Sequence, residues 1–284
     1  MKGDEFEIYE PKFTSHGFRY LEISGLHYAP EDGNVARLVV HNDVHSRSSF
    51  QVNEAAEVLS KINAGSRNGI SGNLQGGPGS CGARDERGFF TGDTSLAAEA
   101  SFLHFDLAAI YTHWLQTAAD GQRPNGAINH GAIGDYAPDI VGDTRDGTVN
   151  WGGAFVTVPW TLWHHYGDTD VIRRNLPQLE AYMAFLEVQY DKTAGTGLKN
   201  FWPACLTWWI VIGPQPSCSL STAFGYVNNL RMMAEMTEAI NAASASTFRA
   251  RWVPIVLRLL LAPCRVNSRH SWSFFEQQVA GPIP

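Results

Sequence analysis

The sequence predicts a mainly α-helical fold of stacked helical hairpins, preceded by a short run of β-character. Three observations carry this expectation. After residue 53, apolar residues recur at i, i+3 and i+4, the spacing that lines one face of a helix. The segments so patterned are short and joined by alternately short and long loops, which suits paired helices better than an α/β sheet. Residues 6–50 differ: Phe18, Tyr20, Leu21 and Ile23, then Leu38, Val39 and Val40, form strand-like runs punctuated by Gly17, Gly25 and Gly33. Two or three strands hide too little apolar surface to stand alone. Residues 1–50 are therefore expected to be the last strands of a β-domain, and residues 51–284 a helical domain.

Taken in order, the first helix is expected from Asn53 as N-cap, with Ala56, Leu59 and Ile62 in register, to an end near Gly65. A glycine-rich stretch of low periodicity covers residues 69–88. A second helix should begin after Thr91-Gly92-Asp93 and run through Leu96, Ala100, Leu103, Leu107 and Ile110 to about Ala118. Residues 120–149 read as a loop whose Asp135, Asp139, Asp143 and Asp146 are solvated. They lack the spacing of a calcium-binding loop. Helices follow at 151–166, with Val156, Trp160 and Trp163 on one side, and at 171–190, lined by Ile172, Leu176, Leu179, Met183 and Leu186. Gly167-Asp168 separates them, and Pro177 calls for a kink or a lead-in turn. An amphipathic helix covers 221–241, and residues 250–284 show no steady period.

Composition narrows the functions. Hydrophobic residues at 44% and charged residues at 17% fit a globular chain with a real core. A net charge of -7 opposes non-specific nucleic-acid binding. Cys81, Cys205, Cys218 and Cys264 lie too far apart to read as a zinc site, and no metal or organic cofactor is implied. The N-terminus shows no signal-peptide pattern, and the most apolar stretches, 208–213 and 255–263, fall short of the ~20 residues of a membrane span. The chain reads as soluble, with its compartment open. Nine Trp residues supply either core or flat faces against pyranose rings.

The chemistry should sit in CGARDERGFFTGD, residues 81–93, where Arg84, Asp85, Glu86, Arg87 and Asp93 crowd a glycine-rich loop that leads into a helix. Neighbouring carboxylates and apolar Phe89 and Phe90 are the surroundings that keep a carboxyl group protonated near neutrality, as glycoside hydrolysis requires of its acid. A solvated loop of mixed charges is the alternative reading.

RDERGFFTGD, residues 84–93, resembles the R-(D)-E-x-x-G-W-x-G-D signature of glycoside hydrolase family 78, the α-L-rhamnosidases. Four more stretches agree in order: FTSHGFRYLEISG (13–25), FDLAAIYTHWL (105–115), NWGGA (150–154) against A-W-G-D-A, and PWTLWHHYGD (159–168). The resemblance implies the end of a β-sandwich domain followed by part of an (α/α)6 barrel, and inverting release of terminal L-rhamnose from a small rhamnosylated carbohydrate. By that resemblance Glu86 is the general acid, Asp93 and Arg84 hold sugar hydroxyls, Phe90 and Trp151 are aromatic walls, and Trp208 or Trp209 stands for a later sugar-site Trp.

Departures from the pattern matter. Ser80 replaces a sugar-binding Asp, so a neutral hydroxyl stands where charge-assisted acceptance is expected. Phe89-Phe90 replaces G-W, losing an indole donor. The region around Leu206-Thr207-Trp208-Trp209 looks scrambled, as a local shift of reading frame would leave it. The base of an inverting pair lies about 6.5–9.5 Å from the acid, and Glu276, the only late carboxylate, does not match the family's base motif. The chain is therefore expected to be truncated, with little or no turnover. A non-catalytic carbohydrate-binding remnant and a different (α/α)6 glycosidase or lyase are the alternatives.

Overall fold

Seven helices organise the described residues: α1 (Glu57–Asn73), α2 (Thr91–His104), α3 (Ala108–Asp120), α4 (Ala154–Tyr166), α5 (Asp170–Lys192), α6 (Cys218–Ala239) and α7 (Ala245–Leu261). The structure is a computed structural model, and it describes residues 8–53, 56–82, 87–139, 147–192 and 218–261. Helix neighbours alternate along the chain. Helix α4 packs on α2 and on α6, while α3 packs on α5. Helices α2, α4 and α6 thus pack in one row and α3 and α5 in a second, as stacked hairpins require.

The core lies between these layers. Phe102, Leu107, Tyr111 and Leu115 meet Phe155 and Leu162 of α4, and Ile172, Leu179, Tyr182 and Leu186 continue it along α5. The Phe102 ring stands edge-on to Tyr111 at 4.6 Å and to Tyr166 at 5.5 Å, geometry that aromatic quadrupoles favour. The predicted stripe of α5 is correct, and the helix runs through Pro177 without interruption. Proline removes one backbone bond there, and the buried Asn175 side chain donates 2.8 Å to the Val171 carbonyl in the same helix.

Several expectations are corrected. The first helix starts at Glu57 rather than after Asn53 and continues past Gly65 to Asn73. Its end is tied down, since Asn73 donates 3.0 Å to the Gly69 carbonyl and accepts 3.1 Å from the Gly82 amide. The single helix expected from 93 to 118 is two. Phe105 is extended and bridges Ser46, the Asp106 amide donates 2.8 Å to His45, and the Leu107 amide donates 2.9 Å to the Tyr166 hydroxyl. The Phe105 amide still donates to Ser101, while the Asp106 and Leu107 amides take these tertiary partners in place of helical ones. The inward face of α2 is Ala98, Ser101 and Phe102, whereas Leu96 and Leu103 are exposed. Helix α6 is buried on most sides, because α4, α5 and α7 all pack against it.

The strand-like runs of residues 6–50 pair with no other strand among the described residues. Tyr20, Leu38 and Val39 stand exposed there. A strand gains from ladder bonds and from burying one face, and neither is present among the described residues. The segment is instead strapped to the helices by single contacts, such as the Asn42 amide to the Leu74 carbonyl at 2.6 Å.

Candidate functional site

The site gathers around the start of α2. Asp93 is the third residue of that helix, where unpaired backbone amides and the macrodipole favour a negative charge. Ser80 reaches it from the preceding loop: its hydroxyl donates to Asp93 Oδ1 at 2.6 Å, a charge-assisted bond. Thr94 fixes both sides of this arrangement, its hydroxyl lying 2.7 Å from the Pro78 carbonyl and 2.9 Å from that of Phe90. The Ser80 amide donates 3.2 Å to the Gly88 carbonyl, closing the base of the loop in which the sequence places Arg84 and Glu86.

Trp151 arrives from the turn before α4 and lies flat on Gly92. A methyl group added to Gly92 would stand 3.1 Å from three atoms of the indole at once, Cγ, Cδ1 and Cδ2, which places a ring face against the backbone. Only glycine permits that approach. Trp151 is 8% exposed, so an edge rather than an open face is left toward solvent. Phe90, extended just before α2, meets Tyr136 at 4.6 Å with the rings tilted by 41°, and Phe89 turns the other way, onto Gly77 and Gly79.

The structure therefore brings Ser80, Asp93 and Trp151 together and sets Phe90 next in sequence to this group. Glu86, Arg84, Trp208, Trp209 and Glu276 lie outside the described residues, as do Asp143 and Asp146. Asp135 and Asp139 do not behave as solvated loop residues. Asp139 pairs with Arg123 at 3.3 Å, and Asp135, 8% exposed, accepts a 2.6 Å hydrogen bond from Thr148. Sequence reading missed Asp135, because an Asp in an aperiodic loop carries no mark of burial. Tyr182, fully buried close to Asp135, has its phenol pushed well up from the usual range, first by burial and then by the neighbouring carboxylate. A shallow cleft between α3 and the start of α5, lined by Thr112, His113, Asp168 and Arg174, shares no residue with the site.

Comparison with known proteins identifies the family. Residues 47–256 match the family described as the bacterial α-L-rhamnosidase six-hairpin glycosidase domain. The chain belongs to that family. Residues 1–41 match the concanavalin-like domain of bacterial α-L-rhamnosidases. An α-L-rhamnosidase of Streptomyces avermitilis is 36% identical over 191 residues, 67% of this chain and 18% of its own length. One from Formosa agariphila is 29% identical over 61% of this chain and 18% of its own. The chain thus spans about a fifth of the length of these curated relatives.

Solved rhamnosidases agree in fold. The α-L-rhamnosidase of Dictyoglumus thermophilum superposes with a TM-score of 0.74 at 26% identity, over 87% of this chain and 27% of that one. The Streptomyces avermitilis enzyme complexed with L-rhamnose gives 0.65 at 26% identity, over 76% of this chain and 19% of that one. The two helical layers are part of an (α/α)6 barrel of the six-hairpin type. No helix among the described residues is long and apolar enough to cross a membrane.

Proposed function

We propose that this chain carries the acid half of an inverting α-L-rhamnosidase site. A terminal α-L-rhamnosyl unit of a small glycoside sits beside Asp93 and Trp151, with Arg84, Phe90 and Trp209 completing its surroundings. Glu86 gives its proton to the departing glycosidic oxygen as the bond from the anomeric carbon breaks. Water attacks the opposite face of the ring and passes its proton to a second carboxylate, about 6.5–9.5 Å from the first. Glu276 is not assigned that second role. Residues 1–50 are read as part of a β-domain adjoining the barrel, residues 51–284.

The observation that supports this reading is one juxtaposition. A carboxylate at a helix N-terminus, held by Ser80, stands beside an indole that lies on the neighbouring glycine, at the base of the loop containing Glu86. Sugar recognition can use that combination, with the carboxylate accepting hydroxyl protons and the apolar ring edge lining the pocket beside it. A second reading, carbohydrate binding without hydrolysis, is favoured by Ser80 itself, a neutral hydroxyl where a second carboxylate would strengthen the grip.

Calorimetric titration with L-rhamnose, together with hydrolysis of an aryl α-L-rhamnoside, separates these. The catalytic reading expects L-rhamnose affinity with little turnover in this chain, and hydrolysis once it is fused to a relative's barrel segment that supplies the second carboxylate, at a rate that Glu86→Gln lowers about 10²–10⁴-fold. Affinity without hydrolysis in both the chain and the fusion supports the second reading. Absence of both binding and hydrolysis in the wild type rejects the two together.

A further inference from the structure

Two separate pieces of backbone build the site. One is the strip 88–93, which presents Phe90 and Asp93. The other is the turn 147–153, which presents Trp151. No backbone hydrogen bond among the described residues joins them directly. Each is bonded instead to one member of a buried side-chain pair. On one side, the Asp135 carbonyl accepts the Thr91 amide at 2.9 Å and the Thr91 hydroxyl at 3.2 Å, and the Ala137 amide donates 3.0 Å to Phe89. On the other, the Thr148 carbonyl accepts the Trp151 amide at 3.2 Å and the Gly152 amide at 2.8 Å. The pair is closed by the 2.6 Å bond from the Thr148 hydroxyl to Asp135 Oδ1.

Thr91, Asp135 and Thr148 are 0%, 8% and 2% exposed, so water competes little for these groups. Tyr182 seals the underside: its hydroxyl would lie 3.1 Å from a methyl group added at Gly152. Neither Asp135 nor Thr148 belongs to the five motif stretches of the sequence, and neither has a part in the proton transfer.

We propose that Asp135 and Thr148 are positioning residues that clamp the Asp93 strip to the Trp151 turn and so set the width of the rhamnose subsite. The inference deepens the reading above and rests on it for the identity of the sugar. A carboxylate acceptor in a buried place makes the bond strong, and it reinforces the 2.9 Å bond from the Gly147 amide to the Ile133 carbonyl and the packing of Trp151 on Gly92. Without it, the Gly147–Ile133 backbone bond and the Trp151–Gly92 packing remain, but the spacing of the two walls is held less tightly. A misplacement of about 1 Å is enough to weaken a built site by large factors.

The test uses the full chain and the variants Thr148→Val, Thr148→Ser and Asp135→Asn, with hydrogen exchange as one readout and L-rhamnose titration as the other. Thr148→Val removes the donor at nearly constant shape, Thr148→Ser keeps the hydroxyl, and Asp135→Asn keeps an oxygen acceptor. For Thr148→Val, exchange should rise about tenfold in peptides covering both 88–93 and 147–153, while α5 stays protected, and L-rhamnose affinity should fall about tenfold. Thr148→Ser and Asp135→Asn should retain most of the protection and affinity. Exchange that rises only in 147–153 overturns the clamp, because the two walls would then be independent. A wild-type chain that binds L-rhamnose no better than Thr148→Val overturns it as a positioning device. A wild type that binds no L-rhamnose, with both peptides loosening together in Thr148→Val, overturns the functional reading and with it the sugar-positioning role. Those failures are thereby told apart.

Discussion

Ser80 and Asp93 show how one hydroxyl orients a carboxylate. The loop offers Asp93 a hydroxyl donor at 2.6 Å, which holds the carboxylate in one orientation. Replacing Ser80 with Ala should weaken L-rhamnose binding about tenfold, since a hydrogen bond to a charged group contributes roughly 1.5–3 kcal/mol and part of this is regained from water. Calorimetric titration decides it, and an unchanged affinity would remove Ser80 from the site. Gly92 makes a sharper case. Alanine there places a methyl 3.1 Å from three indole atoms, and because Trp151 is nearly buried the ring has little room to retreat. Gly92→Ala should lower stability by about 1–3 kcal/mol, as overpacking does, and shift the tryptophan fluorescence on denaturation. A melting temperature equal to wild type would show that the ring yields freely. At this scale Asp93 and Trp151 were singled out by the family resemblance of residues 84–93 and 150–154. Asp135 was not, because its burial depends on Thr148 and Thr91, which reach it only through the folded loop.

Elements were legible where period and punctuation agree. The stripe from Ile172 to Leu186 has the helical spacing, and Gly167 marks the stop before it. The break at residues 105–107 has no glycine or proline to announce it. It exists because Ser46, His45 and Tyr166 bind the backbone from elsewhere. The face of α2 was misread for a related reason. Close packing on α4 selects small Ala98 and Ser101, pushing Leu96 and Leu103 outward, where hydrophobicity alone would place them inside. The turn after α4 gives a clean prediction. Gly167 closes that helix in the left-handed region at φ 69, its amide donating 2.8 Å to the Trp163 carbonyl. Nothing lies within 4 Å of where a side chain would begin. Gly167→Ala therefore tests backbone conformation alone and should cost about 1 kcal/mol, with Gly167→Asn costing less. Equal urea midpoints for wild type and Gly167→Ala would contradict this account of the helix end.

For the whole molecule, the two-layer arrangement means that α4 contacts α2, α3, α5 and α6, and the buried phenols of the core on either side of it include Tyr111 and Tyr182. Burial raises Tyr111 to about 12, opposed by a hydrogen bond with Ser101 and reinforced by Tyr166, and it raises Tyr182 well above the usual value. An unfolded tyrosine titrates near ~10, so above that pH the unfolded chain gives up protons that the folded chain retains. Stability from these two groups is complete below about pH 10 and is lost as the pH rises through the folded values, at ~1 kcal/mol per pH unit for each phenol. The expected result is a fall in the urea midpoint between about pH 10 and 12 that is steeper in wild type than in Tyr182→Phe. Phenylalanine fills the same space without an ionisable hydroxyl, and Tyr182 Oη has no hydrogen-bond partner among the described residues, so Tyr182→Phe should match or exceed wild-type stability at neutral pH. Parallel alkaline limbs for the two proteins would mean that Tyr182 ionises as easily folded as unfolded, and that the centre of the helical layers is open to water.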